Sequence, residues 1–367
     1  MSTWPEWLPL RPELAPMSPY GAPQVRAEAS LNTNENPYAP STALVDEITT
    51  RIKDVSKSLN RYPDREAIQL RTELAQYINS QSGTEFDISN IWAANGSNEI
   101  IQSIFLAFGR SSALGFTPSY SMHSLIAKVT ATPWIDGIRR NDFSLDVDSA
   151  CAQISSFAPA LTFITTPNNP TGSAITIDEI EKIAQEVSTR GGLLVIDEAY
   201  AEFSSEKSAV TLIAKYPHVL VIRTMSKAFA FAGVRLGYLI AHPQVIDAMR
   251  LVRLPYHLST LTQAAASAAL EFKSELLGTV AQIISAREAM AFELERLGLV
   301  VVPSCANFLL FSGFGIESAK LWEKLLDRGV LIRDVGLSGY LRVTIGSAAE
   351  NAQFISVLQE ILGGSKE

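Results

Sequence analysis

Leu193-Leu194-Val195-Ile196-Asp197-Glu198-Ala199-Tyr200 runs four aliphatic residues straight into a carboxylate. A strand this uniformly apolar is buried on both faces, as in a sheet covered by helices. An ion at its end is costly unless an opposite charge meets it. A second apolar run, Val219-Leu220-Val221-Ile222, leads into Thr224-Met225-Ser226-Lys227-Ala228-Phe229, which puts a lysine thirty positions (227 − 197) after the aspartate. Both charges therefore fall at strand ends, and ligands in open α/β sheets bind beyond the carboxyl ends of the strands.

Working outward from this pair, further strands are expected at Ile91-Trp92-Ala93-Ala94-Asn95, Ala113-Leu114-Gly115-Phe116, Leu161-Thr162-Phe163-Ile164-Thr165 and Leu236-Gly237-Tyr238-Leu239-Ile240. Helical patterns alternate with them, such as residues 177–190, which Gly191-Gly192 terminates. The expected class is α/β. Residues 1–43, rich in Pro and Asn, read as an N-terminal arm that also joins a small domain. Residues 44–260 form the large domain. Residues 261–367 hold a long Ala-rich linking helix over 262–297 and then strand, helix, strand, strand and helix, a smaller α/β unit.

The chain has 367 residues, 47% of them hydrophobic and 19% charged, enough for two cores. A net charge of −8 with no local basic cluster argues against nucleic acid as a partner. Met1-Ser2-Thr3-Trp4-Pro5-Glu6-Trp7 lacks the basic and apolar regions of a secretory signal. No apolar run reaches the ~18 residues that span a bilayer, so no membrane partner is expected and the expected location is cytoplasmic. Two cysteines without a Cys-x-x-Cys pattern and four scattered histidines predict neither a disulfide framework nor a metal site.

Four segments carry chemistry. Lys227 attacks a carbonyl only when unprotonated, which a buried, cation-rich site favours; the alternative is a solvated lysine in a turn. Asp197 can meet the positive charge of a protonated ring nitrogen; the alternatives are a helix cap or an Mg²⁺ ligand, although no Gly-x-x-x-x-Gly-Lys-Ser/Thr loop is present. Thr166-Pro167-Asn168-Asn169-Pro170-Thr171-Gly172 is ordinary turn chemistry that falls at the same sheet edge. Ala94-Asn95-Gly96-Ser97-Asn98-Glu99 opens a helix after a strand, either an anion site or a plain cap by Ser97 or Asn98. Ser226 and Arg235 add further anion donors. A lysine for an aldehyde, an acid for a ring nitrogen and a cradle for a phosphate together point to pyridoxal 5'-phosphate. Gly313-Phe314-Gly315-Ile316-Glu317-Ser318 imitates a dinucleotide fingerprint without its last glycine and reads as a loop.

With these elements in order, nearly the whole chain resembles the fold-type I pyridoxal-phosphate aminotransferases, and within them the histidinol-phosphate aminotransferases of actinobacterial type. The matches are Leu31-Asn32-Thr33-Asn34-Glu35-Asn36-Pro37-Tyr38, Asn60-Arg61-Tyr62-Pro63-Asp64, the 93–99 segment, Thr117-Pro118-Ser119-Tyr120-Ser121-Met122-His123 and Val330-Leu331-Ile332-Arg333-Asp334. The resemblance implies a large domain with a mostly parallel seven-stranded sheet flanked by helices. It implies that Lys227 binds the cofactor aldehyde and shuttles a proton, that Asp197 pairs with the pyridine nitrogen, and that Asn169 and Tyr200 bond the ring oxygen. Ser97, Asn98, Ser226 and Arg235 would hold the phosphate, and Tyr120 would stack on the ring. Tyr62 would reach the phosphate from the other subunit of a homodimer. Tyr20, Asn98, Tyr120, Tyr256, Arg333 and Arg342 would contact substrate, Arg342 serving carboxylate and phosphate alike because its planar fork fits either.

The activity so implied is transamination of L-histidinol phosphate with 2-oxoglutarate, giving imidazole-acetol phosphate and L-glutamate. Many relatives carry a second tyrosine where this chain has His123. The alternatives are an aromatic amino acid (phenylalanine) aminotransferase, a decarboxylase of a phosphorylated amino acid, and a cofactor-sensing regulator. The last would want a basic DNA-binding segment before residue 44, and none is present.

Overall fold

The computed structural model describes residues 4–5, 7–19 and 21–363. In chain order the first half comprises β1 (Ala29–Ser30), α1 (Thr42–Val55), α2 (Ile68–Ser82), β2 (Ile91–Ala94), α3 (Ser97–Phe108), β3 (Ala113–Thr117), α4 (Met122–Val129), β4 (Trp134–Ile138), α5 (Val147–Phe157), β5 (Leu161–Thr165) and α6 (Ile177–Thr189). Then come β6 (Leu193–Asp197), β7 (Val219–Thr224), β8 (Gly237–Ile240), α7 (Pro243–Val252), α8 (Thr260–Glu271) and α9 (Lys273–Arg296). The chain ends with β9 (Val300–Val301), β10 (Phe308–Ser312), α10 (Ser318–Leu326), β11 (Val330–Leu331), β12 (Tyr340–Thr344) and α11 (Ala348–Gly363).

Seven strands form one sheet in the order β2-β8-β7-β6-β5-β3-β4. Only β8 runs against the rest, antiparallel to both β2 and β7. β6 pairs in parallel with β5 and β7, placing Asp197 beside Thr165 on one side and Ile222 on the other. The apolar strands are buried on both faces as expected, with separate cores above and below the sheet. Helix α6 starts on a reciprocal cap in which Thr176 and Glu179 exchange hydrogen bonds. Edge strand β4 is missing from the sequence-based set, because Trp134–Ile138 is half exposed and has no long apolar run to mark it.

A third core gathers β10, β12, α10 and α11 around Phe308, Phe311, Val343 and Phe354. The N-terminal segment joins this unit, since Ala29 and Ser30 pair in parallel with Val330 and Leu331. The single helix expected over 262–297 is two helices that break at Phe272. The break serves two burial directions. Helix α8 turns Ala265, Ala266, Ala268 and Ala269 into the large core, whereas α9 buries Val280, Ile283, Met290 and Leu294 in the small one. The 313–318 segment is the turn from β10 to α10, with Gly313 and Gly315 at positive φ, as the loop reading expects. Among the described residues no helix is long and apolar enough to cross a membrane.

Candidate active site

The carboxyl ends of β5, β6 and β7, the start of α3 and three stretches of the small unit enclose a cavity of about 450 Å³. That volume suits a cofactor with a small substrate. Of the residues singled out in the sequence, Ser97, Asn98, Tyr120, Asn169, Asp197, Tyr200, Ser226, Lys227, Arg235, Arg333 and Arg342 line it. Tyr20 lies outside the described residues.

Lys227 follows β7 and donates from Nζ to the Thr33 carbonyl at 2.9 Å. Burial pushes its ammonium down from the ordinary lysine value to about 8, and the Arg342 and Arg235 charges act in the same direction. A useful fraction of neutral amine is therefore present near neutral pH, as attack on an aldehyde requires. Asp197, at 2% exposure, accepts the Ala199 N–H at 3.2 Å on Oδ1. Its Oδ2 lies 3.1 Å from His123 Nε2, and both side chains are almost fully enclosed. The sequence left the role of His123 open. The structure puts the imidazole directly against the carboxylate, wedged between Tyr120 and Phe163.

The anion cradle forms at the start of α3. Its cap is Gly96 with φ 81°, not Ser97 or Asn98, and no side chain caps the helix. The Arg235 guanidinium lies across this glycine so closely that a Cβ would stand 2.7 Å from Nη2. Gly237 makes the neighbouring approach possible, because a Cβ there would be 2.5 Å from Ser97 N. Arg235 Nη1 also donates to Ser226 Oγ at 3.5 Å. Helix N–H groups, a hydroxyl and a guanidinium thus meet where a phosphate fits.

On the opposite wall, Arg342 donates from Nη1 to Asn169 Oδ1 at 2.6 Å and from Nη2 to the Asn32 carbonyl at 2.8 Å. It lies 5.1 Å over the Phe308 ring. Arg333 is held beside it by reciprocal backbone hydrogen bonds at 2.9 Å. The two asparagines of the Asn168-Asn169 pair have different work. Asn168 is fully buried and ties the loop to Pro118 and Thr171, whereas Asn169 faces the cavity. Tyr120 donates to Asn98 Oδ1 at 3.2 Å, joining the two residues that border the cradle.

Tyr62 and Tyr256 do not reach the cavity of their own chain. They stack on each other at 4.3 Å, 79% and 40% exposed. Their loops are held together by Glu66, whose carboxyl is held down to about 2, chiefly by its hydrogen bond from Arg253. Cavity residues given no role from the sequence include Asn32 and Asn34, with Thr344 behind Asn34. The 31–38 segment marked the two asparagines only as part of a family match, which does not say which side chain turns inward.

Tested against this donor set, pyridoxal 5'-phosphate fits. The cradle leaves no room for a Cβ, a buried acid matches the ring nitrogen and a lysine of lowered basicity matches the aldehyde. A model of the family described as aminotransferase class I and II matches residues 28–358. The chain is 54% identical over 347 residues to the histidinol-phosphate aminotransferase of Mycobacterium sp. (strain JLS), covering 94% of this chain and 91% of that one. It is likewise 54% identical over 353 residues to the histidinol-phosphate aminotransferase of Nocardia farcinica (strain IFM 10152), covering 95% and 91%. The crystal structure of histidinol-phosphate aminotransferase from Sinorhizobium meliloti in complex with pyridoxal-5'-phosphate has the same fold, with a TM-score of 0.85, 22% identity and coverage of 97% and 98%.

Proposed function

This chain belongs to the aminotransferase class I and II family, and from that premise we propose that it moves the amino group of L-histidinol phosphate to 2-oxoglutarate. The products are imidazole-acetol phosphate and L-glutamate, a step of histidine biosynthesis, and the cofactor is pyridoxal 5'-phosphate. The observation that carries the reading is one cavity holding Lys227, Asp197 and two separate anion sites, the α3 cradle and the Arg342 wall.

When bound, the cofactor supplies an electron sink for the bond between substrate Cα and its hydrogen. Lys227 would hold its aldehyde and would move the proton at substrate Cα. Asp197, backed by His123, holds the proton on the ring nitrogen. Ser97, Asn98, Ser226 and Arg235 bind the phosphate. Asn169 and Tyr200 bond the ring oxygen, and Tyr120 covers the ring. Arg342, with Arg333, takes the substrate anion, which is a carboxylate in one half-reaction and a phosphate in the other.

Tyr62 and Tyr256, stacked and exposed, suit contribution to a second copy's cavity, so the working unit is a homodimer. Leu251 at 86% and Leu254 at 74% exposure lie close by in sequence and add apolar area to that face. Tyr20 is proposed to contact substrate as well. We place an N-terminal arm at 1–43, a large domain at 44–260 and the linking stretch with the small domain at 261–367, with α8 of that stretch packing on the large core, and the enzyme works in the cytoplasm. Purified protein assayed with histidinol phosphate and with phenylalanine tests the reading. A kcat/KM at least tenfold higher for histidinol phosphate is expected, and a preference for phenylalanine would replace this substrate with an aromatic amino acid.

A further inference from the structure

One short stretch of the N-terminal segment meets Lys227 at both ends. The Thr33 carbonyl accepts from Nζ at 2.9 Å. Three residues on, Asn36 reaches the backbone just past the lysine and donates from Nδ2 to the Ala228 carbonyl at 3.3 Å. Its neighbours decide how the Asn36 amide is turned. The Tyr38 backbone N–H can only donate, and it does so to Asn36 Oδ1 at 3.0 Å. Nδ2 therefore faces the Ala228 carbonyl and Thr279 Oγ1, the latter at 3.1 Å. Thr279 uses its own hydrogen on the Leu276 carbonyl at 2.8 Å, which leaves its oxygen to accept from the amide.

The two bonds from Nδ2 join separate parts of the fold. Ala228 lies in the turn after β7, whereas Thr279 is in the second turn of α9. The same N-terminal segment is seated on the small unit, where the Leu31 N–H donates to the Leu331 carbonyl at 2.7 Å and the Thr344 N–H to the Leu31 carbonyl at 2.9 Å. Thr33 thus sits between two anchorages, and Asn36 is the one that ties its carbonyl to the lysine's own backbone.

We propose that Asn36, backed by Thr279, is a positioning residue for Lys227, holding the Thr33 carbonyl against the amine while the lysine joins the cofactor aldehyde. This rests on the cofactor reading above and adds to it two residues that act only through the lysine. In the joining step the amine lone pair forms the bond to the aldehyde carbon. The aldehyde oxygen leaves as water with the amine's two hydrogens. The nitrogen gains positive charge as the bond forms, so its hydrogen bond to a fixed carbonyl strengthens in the transition state.

The test compares two forms of the cofactor on the stripped protein. Pyridoxal 5'-phosphate joins the lysine and gives a visible absorbance change, whereas pyridoxamine 5'-phosphate has no aldehyde and binds without joining. Stopped-flow absorbance at saturating pyridoxal 5'-phosphate gives the joining rate, and equilibrium dialysis gives the dissociation constant of the amine form. Asn36→Ala is expected to slow joining about tenfold while the pyridoxamine 5'-phosphate constant stays within about twofold of wild type. Thr279→Val removes one of the two acceptors at Nδ2 and should slow joining about threefold. Thr279→Ser keeps the hydroxyl and should restore the wild-type rate. The Thr279 pair carries the test by itself if Asn36→Ala does not fold.

Wild-type joining rates in Asn36→Ala and Thr279→Val would overturn the proposal. So would a loss of pyridoxamine 5'-phosphate affinity as large as the loss of rate, because Asn36 then shapes the cavity rather than the lysine. Wild-type protein that shows no absorbance change with pyridoxal 5'-phosphate would instead overturn the functional reading on which the proposal stands.

Discussion

Lys227→Met in the cofactor-free protein should be more stable than wild type at neutral pH, and the gain should vanish in alkali. The native state brings this ammonium down from 10.5 to about 8, mainly by burial and then by the Arg342 charge. A shift of that size corresponds to about 3 kcal/mol at about 1.4 kcal/mol per unit. The sign follows from proton counts. The unfolded lysine keeps its proton up to about 10.5 while the folded one loses it near 8, so the unfolded state binds more protons in between and stability rises with pH there. The whole destabilisation is present below about pH 8 and is gone above about 10.5. Methionine matches the length of the stem but forfeits the hydrogen bond to Thr33, which costs about 1 kcal/mol. The net expectation is a gain of about 2 kcal/mol at pH 7 and a loss of about 1 kcal/mol near pH 10.5. Urea unfolding of stripped wild type and variant at pH 7, 9 and 10.5 measures both. Equal stability at pH 7, or a difference that ignores pH, would refute the account of a buried amine of lowered basicity.

Gly96→Ala forces a Cβ to 2.7 Å from Arg235 Nη2 at a φ of 81° that side chains avoid. The guanidinium must swing off the cradle, so the dissociation constant for pyridoxal phosphate should rise at least tenfold in equilibrium dialysis while the stripped protein keeps its circular dichroism. Arg223→Met acts behind the site, where the guanidinium pairs with Glu198 and Glu202 at 2.8 and 2.9 Å in a nearly dry pocket. Two buried carboxylates without their cation should cost about 3–5 kcal/mol at pH 7. Burial already raises the Glu202 carboxyl, and losing the arginine raises it further, so the folded variant takes up protons. Its deficit in urea melts should therefore shrink as pH falls toward 5, and a deficit that grows would contradict the assignment.

The apolar runs ending in Asp197 and near Lys227 determined the sheet and its functional edge, because burial on both faces writes itself into composition. The cradle was legible too, since a glycine between a strand and a helix leaves few local alternatives. Its capping residue was not. Gly96 rather than Ser97 takes that place because Gly237 and Arg235, distant in sequence, close around it. Half-exposed β4 left no period to read, and the break at Phe272 follows from two cores pulling on one helical stretch. Types and spacings along the chain determined which chemistry is available here. Only the tertiary structure decided that His123 backs Asp197, that Asn34 bonds both Thr344 and Tyr200, and that Tyr62 and Tyr256 face away from their own cavity. Each of these depends on segments tens to hundreds of residues apart packing together, and a contact of that range has no period or local pattern by which sequence could announce it.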